Sequence, residues 1–120
     1  MSRILLIDDD EDMLSITGRW LIKDGFEVDS ATSGEMAFKI LKEKRPDLIL
    51  LDYAMPVMDG PAVLKEIRSR EDLKDVPVFF RTGVEDGEEE ISDDAFKPDG
   101  IIPKSQGKLY LMKAVREALG

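Results

Sequence analysis

The chain has 120 residues, of which 42% are hydrophobic and 36% charged, and this composition predicts one folded domain rather than a disordered segment. The formal net charge of -9 disfavours a nucleic-acid surface, because contacts with a phosphate backbone need clustered Lys and Arg. Cysteine and histidine are both absent, which excludes disulfides and a histidine base and leaves only oxygen ligands for a metal such as Mg2+, Ca2+ or Mn2+.

The apolar stretches are too short for a membrane protein. None of them approaches the ~20 residues that a membrane-spanning helix needs. The first ten residues, "MSRILLIDDD", have too short an apolar core and the wrong flank for a signal peptide. We therefore expect a protein of the cytoplasm without membrane contact.

The first half of the chain alternates apolar runs with helical patterns. Residues Arg3–Ile7 are continuously aliphatic, which is typical of a strand buried on both faces of a parallel sheet. Apolar residues then recur at helical spacing from Met13 to Leu21, and Gly25 marks a plausible helix end. The segment "FEVDSA" suits an edge strand, and the next helical pattern has Ser33 as its candidate N-cap.

The second half continues this alternation. Residues 47–51 ("DLILL") predict a third strand. The loop "MPVMDGP" then leads to a helix with Asp59 as its candidate N-cap and Pro61 in its first turn. We predict strands at residues 76–80 and 101–102. A final helix is expected over Lys108–Leu119, with Leu109, Met112, Val115 and Leu119 facing inward. A further helix is expected between the last two strands, where the sequence is rich in acids.

These elements together predict the fold class. Five strands that alternate with helices imply an α/β domain with a doubly wound parallel sheet and helices on both faces. Residues 1–120 contain no repeat or linker, so we expect them to form one domain.

Polar residues follow the predicted strands at the edge where open parallel sheets bind ligands. They are Asp8 and Asp9 after the first strand, Asp52 after the third, Thr82 after the fourth and Lys104 after the fifth. Carboxylates that are held together without compensation repel one another, so a hard cation is the expected occupant. Mg2+ suits a site of few carboxylates, a backbone carbonyl and waters.

The acidic run that begins at Asp8 has a second interpretation, a calcium loop. An EF-hand that starts there needs Gly at its sixth position and Glu at its twelfth, but Met13 and Arg19 occupy them. The calcium loop therefore fails, and the last three acids of the run are expected to cap the first helix.

Four motifs lie at the predicted strand ends: "DD" after the first, "LLDYAMPVMDG" after the third, "FFRTG" after the fourth and "IPKS" after the fifth. In this order, across residues 3–119, they resemble the receiver domain of two-component response regulators. The resemblance implies a flavodoxin-like sheet with the strand order 2-1-3-4-5. It also implies a signalling domain, not an enzyme of metabolism, that catalyses only its own phosphorylation and dephosphorylation.

The same resemblance implies an acceptor and a metal site. Asp52 would accept a phosphoryl group from a sensor histidine kinase or a phosphotransfer protein. Mg2+, with Mn2+ as a substitute, would be bound by Asp9, Asp52 and the backbone carbonyl of Ala54, and by Asp8 through water.

Two further residues would bind the transferred group. Lys104 would pair with Asp52 and then with the phosphoryl oxygens, and the hydroxyl of Thr82 would donate to another oxygen. Phosphorylation would change the surface that a downstream output domain or protein recognises.

Three residues depart from the family pattern. The family's lysine usually precedes a cis proline, but this chain has Ser105, so we expect a rearranged or strained loop. Ile101 stands where the family often has an aromatic switch residue, which implies a different output switch. Arg81 is also unusual and is placed to reach the acids that follow it.

Two alternatives remain open at this point. One is a pseudo-receiver that binds partners without regulated phosphorylation. The other is a Mg2+-dependent phosphatase of the haloacid dehalogenase class, which also forms an aspartyl phosphate. That class needs a second Asp two residues after the nucleophile, and Ala54 occupies this position after Asp52.

Overall fold

The structure is a computed structural model that describes residues 2–83 and 97–120. Strands and helices alternate along these residues. The strands are β1 (Arg3–Ile7), β2 (Glu27–Ala31), β3 (Leu48–Asp52), β4 (Val78–Thr82) and β5 (Gly100–Pro103). The helices are α1 (Glu11–Lys23), α2 (Gly34–Leu41), α3 (Gly60–Ser69) and α4 (Lys108–Leu119).

The five strands form one sheet in the order β2-β1-β3-β4-β5, and every neighbouring pair is parallel. This is the flavodoxin-like, doubly wound topology, so the predicted fold class is confirmed. The strand order reverses beside β1 and β3, and open sheets of this type bind ligands beyond the carboxyl ends of the strands at that point.

Successive side chains along a strand enter two separate cores. On β1, Ile4 and Leu6 pack beneath α1 and α4 in what we call the α1–α4 core. Leu5 and Ile7 pack beneath α2 and α3, in the α2–α3 core. Because side chains alternate between faces, Asp8 continues the row that faces α1 and α4.

The described helices begin as the sequence predicts. Asp10, Ser33 and Asp59 are the N-caps of α1, α2 and α3, and each side chain accepts a hydrogen bond from the first turn of its helix. Pro61 lies in the first turn of α3. None of the helices in the described part of the chain is both long enough and apolar enough to cross a bilayer.

Some predicted positions need correction. The fourth strand runs over Val78–Thr82 instead of 76–80, because Val76 still donates to Leu73 in a turn and Pro77 has no N–H to give to a ladder. Leu109, predicted to face inward, is 86% exposed, since it lies about 200° around the helix from the buried Leu111. The predicted helix between β4 and β5 lies outside the described residues.

The loop between β3 and α3 folds closely against the end of β3. The N–H of Gly60 donates to the carbonyl of Tyr53 at 2.9 Å. A Cβ atom on Gly60 would lie 2.7 Å from the backbone oxygen of Asp52, which is closer than real Cβ atoms approach backbone. The absence of a side chain at Gly60 therefore allows α3 to begin beside Asp52.

The same loop contains a strained residue. Val57 has a φ of 67°, in the left-handed region that β-branched residues rarely adopt. Its neighbours close a three-residue turn, in which the N–H of Met58 donates to the carbonyl of Pro56 at 2.7 Å.

Candidate metal centre at the carboxyl edge of the sheet

Three carboxylates meet where β1 and β3 end. Asp8, Asp9 and Asp52 each place an oxygen within 4.8 Å of the others, and we call this group the acid cluster. Asp8 is 3% exposed and Asp52 is 4% exposed, whereas Asp9 lies on the surface. Two buried carboxylates need compensating charge, and Asp9 opens the cluster to ions from solvent.

Strand register and local hydrogen bonds position the buried pair. The register of β1 and β3, continued by one residue, places Asp8 beside Asp52. The N–H of Asp8 donates to the carbonyl of Ala31 at 3.0 Å, and its Oδ1 accepts from the N–H of Asp10 at 2.9 Å. These bonds fix one carboxylate oxygen of Asp8 and leave Oδ2 aimed at the site.

A lysine from the loop after β5 completes the arrangement. The Nζ atom of Lys104 lies 3.0 Å from Oδ1 of Asp52 and 3.3 Å from Oδ2 of Asp8. The N–H of Lys104 donates to the carbonyl of Thr82 at 2.7 Å, which anchors the backbone. The peptide bond before Ser105 is trans, so the loop differs from the cis-proline loop of the family. Lys104 nevertheless contacts both Asp8 and Asp52.

The carboxylate oxygens of the acid cluster are suitable ligands for a hard divalent cation. No residue within 2–83 or 97–120 donates a hydrogen bond to the buried Oδ2 of Asp8, and the contact with Lys104 is an ion pair without that geometry. The three carboxylates outnumber the cationic side chains beside them, so negative charge is in excess. All the available ligands are oxygens, which Mg2+ prefers.

The pKa values reflect burial together with this excess of negative charge. The pKa of Asp52 is raised to about 7, first by burial and then by the charge of Asp8, although Lys104 opposes the rise. Burial lowers the pKa of Lys104, but its hydrogen bond to Asp52 and the nearby negative charges outweigh this, so the pKa is raised overall. A cation at the cluster would favour the ionised form of Asp52, the form in which a carboxylate is a nucleophile.

Sequence reasoning missed the part that Arg81 takes in this site. Arg81 is 7% exposed and is the register neighbour of Asp52 on the adjacent strand β4. Its Nη1 atom donates a hydrogen bond to the hydroxyl of Thr17 at 3.0 Å. The acids that it was expected to reach lie outside the described residues. Strand alternation is the signal that could have placed Arg81 on the face of α1.

Four charged residues share that face, because each stands two residues after a side chain that packs in or against the α1–α4 core. The pairs are Leu6 and Asp8, Leu50 and Asp52, Phe79 and Arg81, and Ile102 and Lys104.

The remaining predicted residues lie nearby with fewer specific contacts. Thr82 is buried at the end of β4, beside Pro103 of β5. Ala54 is exposed in the loop two residues after Asp52. Ile101 is partly buried and packs against the α2–α3 core.

A parallel sheet in the order 2-1-3-4-5, with acids and a lysine converging at its carboxyl edge, defines the receiver class of signalling domains. Residues 4–116 match the family model of the response regulator receiver domain. The chain belongs to this family, and the resemblance noted in its motifs is confirmed.

Relatives of known description agree with this assignment. The chain is 42% identical over 87 residues to the transcriptional regulatory protein PrrA of Mycobacterium tuberculosis, with 70% of this chain and 36% of that protein covered. It is 30% identical over 117 residues to the regulatory protein VanRB of Enterococcus faecalis, with 98% of this chain and 52% of that protein covered. The chain thus spans about a third to a half of the length of these relatives.

Solved structures agree as well. The chemotaxis protein CheY4 of Vibrio cholerae has a TM-score of 0.91 at 27% identity, with 99% of both chains covered. The response regulator TrrA of Thermotoga maritima, solved in complex with Mg2+-BeF, has a TM-score of 0.85 at 31% identity, with 99% of this chain and 100% of that chain covered. Receiver domains bind Mg2+ through an Asp cluster, and this chain has the corresponding cluster.

Proposed function

We propose that residues 1–120 form a single receiver domain that accepts a phosphoryl group on Asp52. The observation that carries the proposal is the position of Asp52 within the acid cluster, with Nζ of Lys104 3.0 Å from its Oδ1. A carboxylate so placed has a cation partner on one side and two further carboxylates for a metal on the other.

The chain would catalyse its own phosphorylation. A carboxylate oxygen of Asp52 attacks the phosphorus of a phosphohistidine, the P–N bond breaks, and the imidazole leaves as an acyl phosphate forms. Lys104 then holds one phosphoryl oxygen, and the hydroxyl of Thr82 donates to another. Attack of water on the same phosphorus breaks its bond to the oxygen of Asp52, releases inorganic phosphate and returns Asp52 to its carboxylate form.

Asp9, Asp52 and the backbone carbonyl of Ala54 would hold Mg2+ directly, and Asp8 would hold it through water. When bound, Mg2+ neutralises charge on the phosphoryl oxygens and lets an anionic nucleophile approach them. Mn2+ has the same preference for oxygen ligands and is proposed as a substitute.

The proposed partners follow from the family. A sensor histidine kinase or a phosphotransfer protein would supply the phosphoryl group in the cytoplasm, and an output domain or protein would respond. Relatives named as transcriptional regulators support an output in transcription. DNA contact would belong to another domain, since this chain carries a net charge of -9.

The test is to incubate the protein with acetyl phosphate and Mg2+ and to measure its intact mass. We expect the mass of one added phosphoryl group, lost when EDTA replaces Mg2+ and lost in the Asp52→Asn variant. Asp75→Asn, at an exposed aspartate, is the matched control and should be modified like the wild type.

This measurement, together with an assay of phosphate release from phosphate esters, separates the alternatives. Wild-type protein that stays unmodified would support the pseudo-receiver. Continuous release of phosphate from phosphate esters would support the phosphatase. Modification that persists in Asp52→Asn would contradict the assignment of the acceptor.

A further inference from the structure

Arg81 is a charged side chain buried beneath the acid cluster. It is 7% exposed and lies beside Asp52 in the register of β3 and β4. One nitrogen, Nη1, donates to Thr17 of α1 at 3.0 Å. Thr17 is neutral, so this hydrogen bond cannot balance the charge of a guanidinium that has been removed from water.

Within the described residues, two buried polar atoms have no hydrogen-bond partner, and the residues that carry them line one small cavity. They are Nε of Arg81 and Oδ2 of Asp8, and both residues line a cavity of about 10 Å³ between the sheet and α1. The other lining residues, except Thr17, are apolar. Within the described residues around this cavity, Asp8 is therefore the anionic residue that faces Arg81.

Arg81 and Lys104 approach the cluster from different directions. Lys104 contacts Asp52 and Asp8 from the loop after β5, and its side chain is a quarter exposed. Arg81 lies under the cluster on β4 and faces α1, away from solvent. Its charge is permanent at any pH at which the protein folds, because a guanidinium is effectively always protonated.

We propose that Arg81 is a resident cation of the acid cluster, which offsets the charge of Asp8 and Asp52 from the buried side and thereby weakens Mg2+ binding while it stabilises the metal-free form. This inference rests on the proposed function, in that the cluster is taken to bind Mg2+. Arg81 is a positioning residue, because it acts through the two aspartates.

The physical reason is a competition between cations for the same carboxylates. A divalent ion that enters the cluster meets the positive charge of Arg81 across the buried side of Asp8, where water does not screen it. Without Mg2+, the same charge reduces the repulsion between Asp8 and Asp52. Removing the charge should therefore have opposite effects on metal affinity and on metal-free stability.

The experiment measures the dissociation constant for Mg2+ by calorimetric titration, and the unfolding midpoint in EDTA and in saturating Mg2+. The neutral variants are Arg81→Met and Arg81→Gln, and either suffices if the other fails to fold. We expect both variants to bind Mg2+ about tenfold more tightly than the wild type. Added Mg2+ should also raise their unfolding midpoints by more than it raises the midpoint of the wild type.

Two matched variants separate charge from structure. Arg81→Lys keeps the charge and should bind Mg2+ within about threefold of the wild type. Thr17→Val removes the hydrogen bond to Arg81 but no charge, so it should leave the dissociation constant unchanged and lower the midpoint equally with and without Mg2+.

Each outcome decides the question. If the wild type binds Mg2+ and the neutral variants bind it equally or more weakly, Arg81 has only a structural role and the inference is wrong. If the wild type itself gives no binding heat, and Asp9→Asn behaves identically, the proposed metal site fails and this inference fails with it.

Discussion

At the scale of single residues, the site holds a carboxyl group whose surroundings oppose its ionisation. Asp52 is buried beside Asp8, and its pKa is raised from 3.8 to about 7 even though Lys104 lies against it. Such a group is only partly ionised at neutral pH. The proposed nucleophilic attack by Asp52 would therefore depend on positive charge at the cluster.

The first prediction concerns how stability depends on pH without metal. Because the folded form binds the Asp52 proton more tightly than the unfolded chain does, this group stabilises the fold below its unfolded pKa of 3.8 and destabilises it progressively as pH rises towards about 7. Asp52→Asn removes this effect. In EDTA, the free energy of unfolding of Asp52→Asn should exceed that of the wild type by roughly 2 kcal/mol near pH 8 and by less near pH 5.

Denaturation in urea at several pH values gives these free energies. Asp75→Asn serves as the control, since Asp75 is exposed and its substitution should leave the pH profile of the wild type intact. A difference between Asp52→Asn and the wild type that stays constant with pH would show that Asp52 does not titrate in this range.

The second prediction concerns Lys104. Lys104→Met removes the ammonium group that lies 3.0 Å from Asp52 and would hold a phosphoryl oxygen. We expect the rate of phosphorylation by acetyl phosphate to fall by about 100-fold, the usual effect of losing one charge-stabilising donor. Lys108→Met, at an exposed lysine on α4, should keep the wild-type rate when both are followed by intact mass. Equal rates for the two variants would remove Lys104 from the mechanism.

At the scale of elements, the connection between β3 and α3 controls how closely the helix approaches Asp52. Its helix cap and its proline could be predicted, because Asp and Pro have strong positional preferences at helix starts. The strained turn at Val57 could not, because valine carries no signal for a positive φ.

The third prediction tests that approach. A side chain at Gly60 would overlap the backbone of Asp52 and Tyr53, so Gly60→Ala must displace α3 or the end of β3. We expect a loss of about 2–4 kcal/mol in the free energy of unfolding, measured with urea.

Gly18→Ala is the control for Gly60→Ala. A Cβ at Gly18 would meet its nearest atoms at 3.9 Å, an ordinary contact, and alanine favours the helix. Gly18→Ala should be neutral or stabilising by up to about 1 kcal/mol. Similar losses in both variants would mean that the close approach at Gly60 has no special importance.

At the scale of the whole molecule, a net charge of -9 and an acid cluster whose carboxylates outnumber its neighbouring cations make stability depend on added cations. The fourth prediction is that Mg2+ raises the unfolding midpoint by binding only the folded form. At a concentration of about 100 times the dissociation constant, the free energy of unfolding should rise by about 2.7 kcal/mol. Differential scanning calorimetry measures it, with NaCl at equal ionic strength as the reference for screening.

Asp9→Asn identifies the specific part of this effect. Asp9 is the exposed member of the cluster, so its loss should abolish most of the gain with little change to the metal-free fold. A gain from Mg2+ that survives in Asp9→Asn would indicate screening of the general negative charge instead of a site.

Much of the architecture could be predicted because each buried strand is a short apolar run and polar residues follow the strands at the edge that forms the site. The acid cluster followed from the rule that carboxyl ends of parallel strands meet. The start of β4 was misplaced because the apolar run includes Val76, which precedes Pro77 and still belongs to a turn. The contact between Arg81 and Thr17 joins residues 64 positions apart, and no local pattern indicates it.

The shared face of Asp8, Asp52, Arg81 and Lys104 also limits the lengths that the strands can have. Adding or removing one residue within β3, ahead of Asp52, would turn its carboxylate to the α2–α3 side of the sheet, away from the lysine. The same shift in β4 would carry the guanidinium to the opposite side. Insertions and deletions can therefore accumulate in the connections before these strands. Within the strands, a change of one residue would move the charged side chain to the wrong face of the sheet.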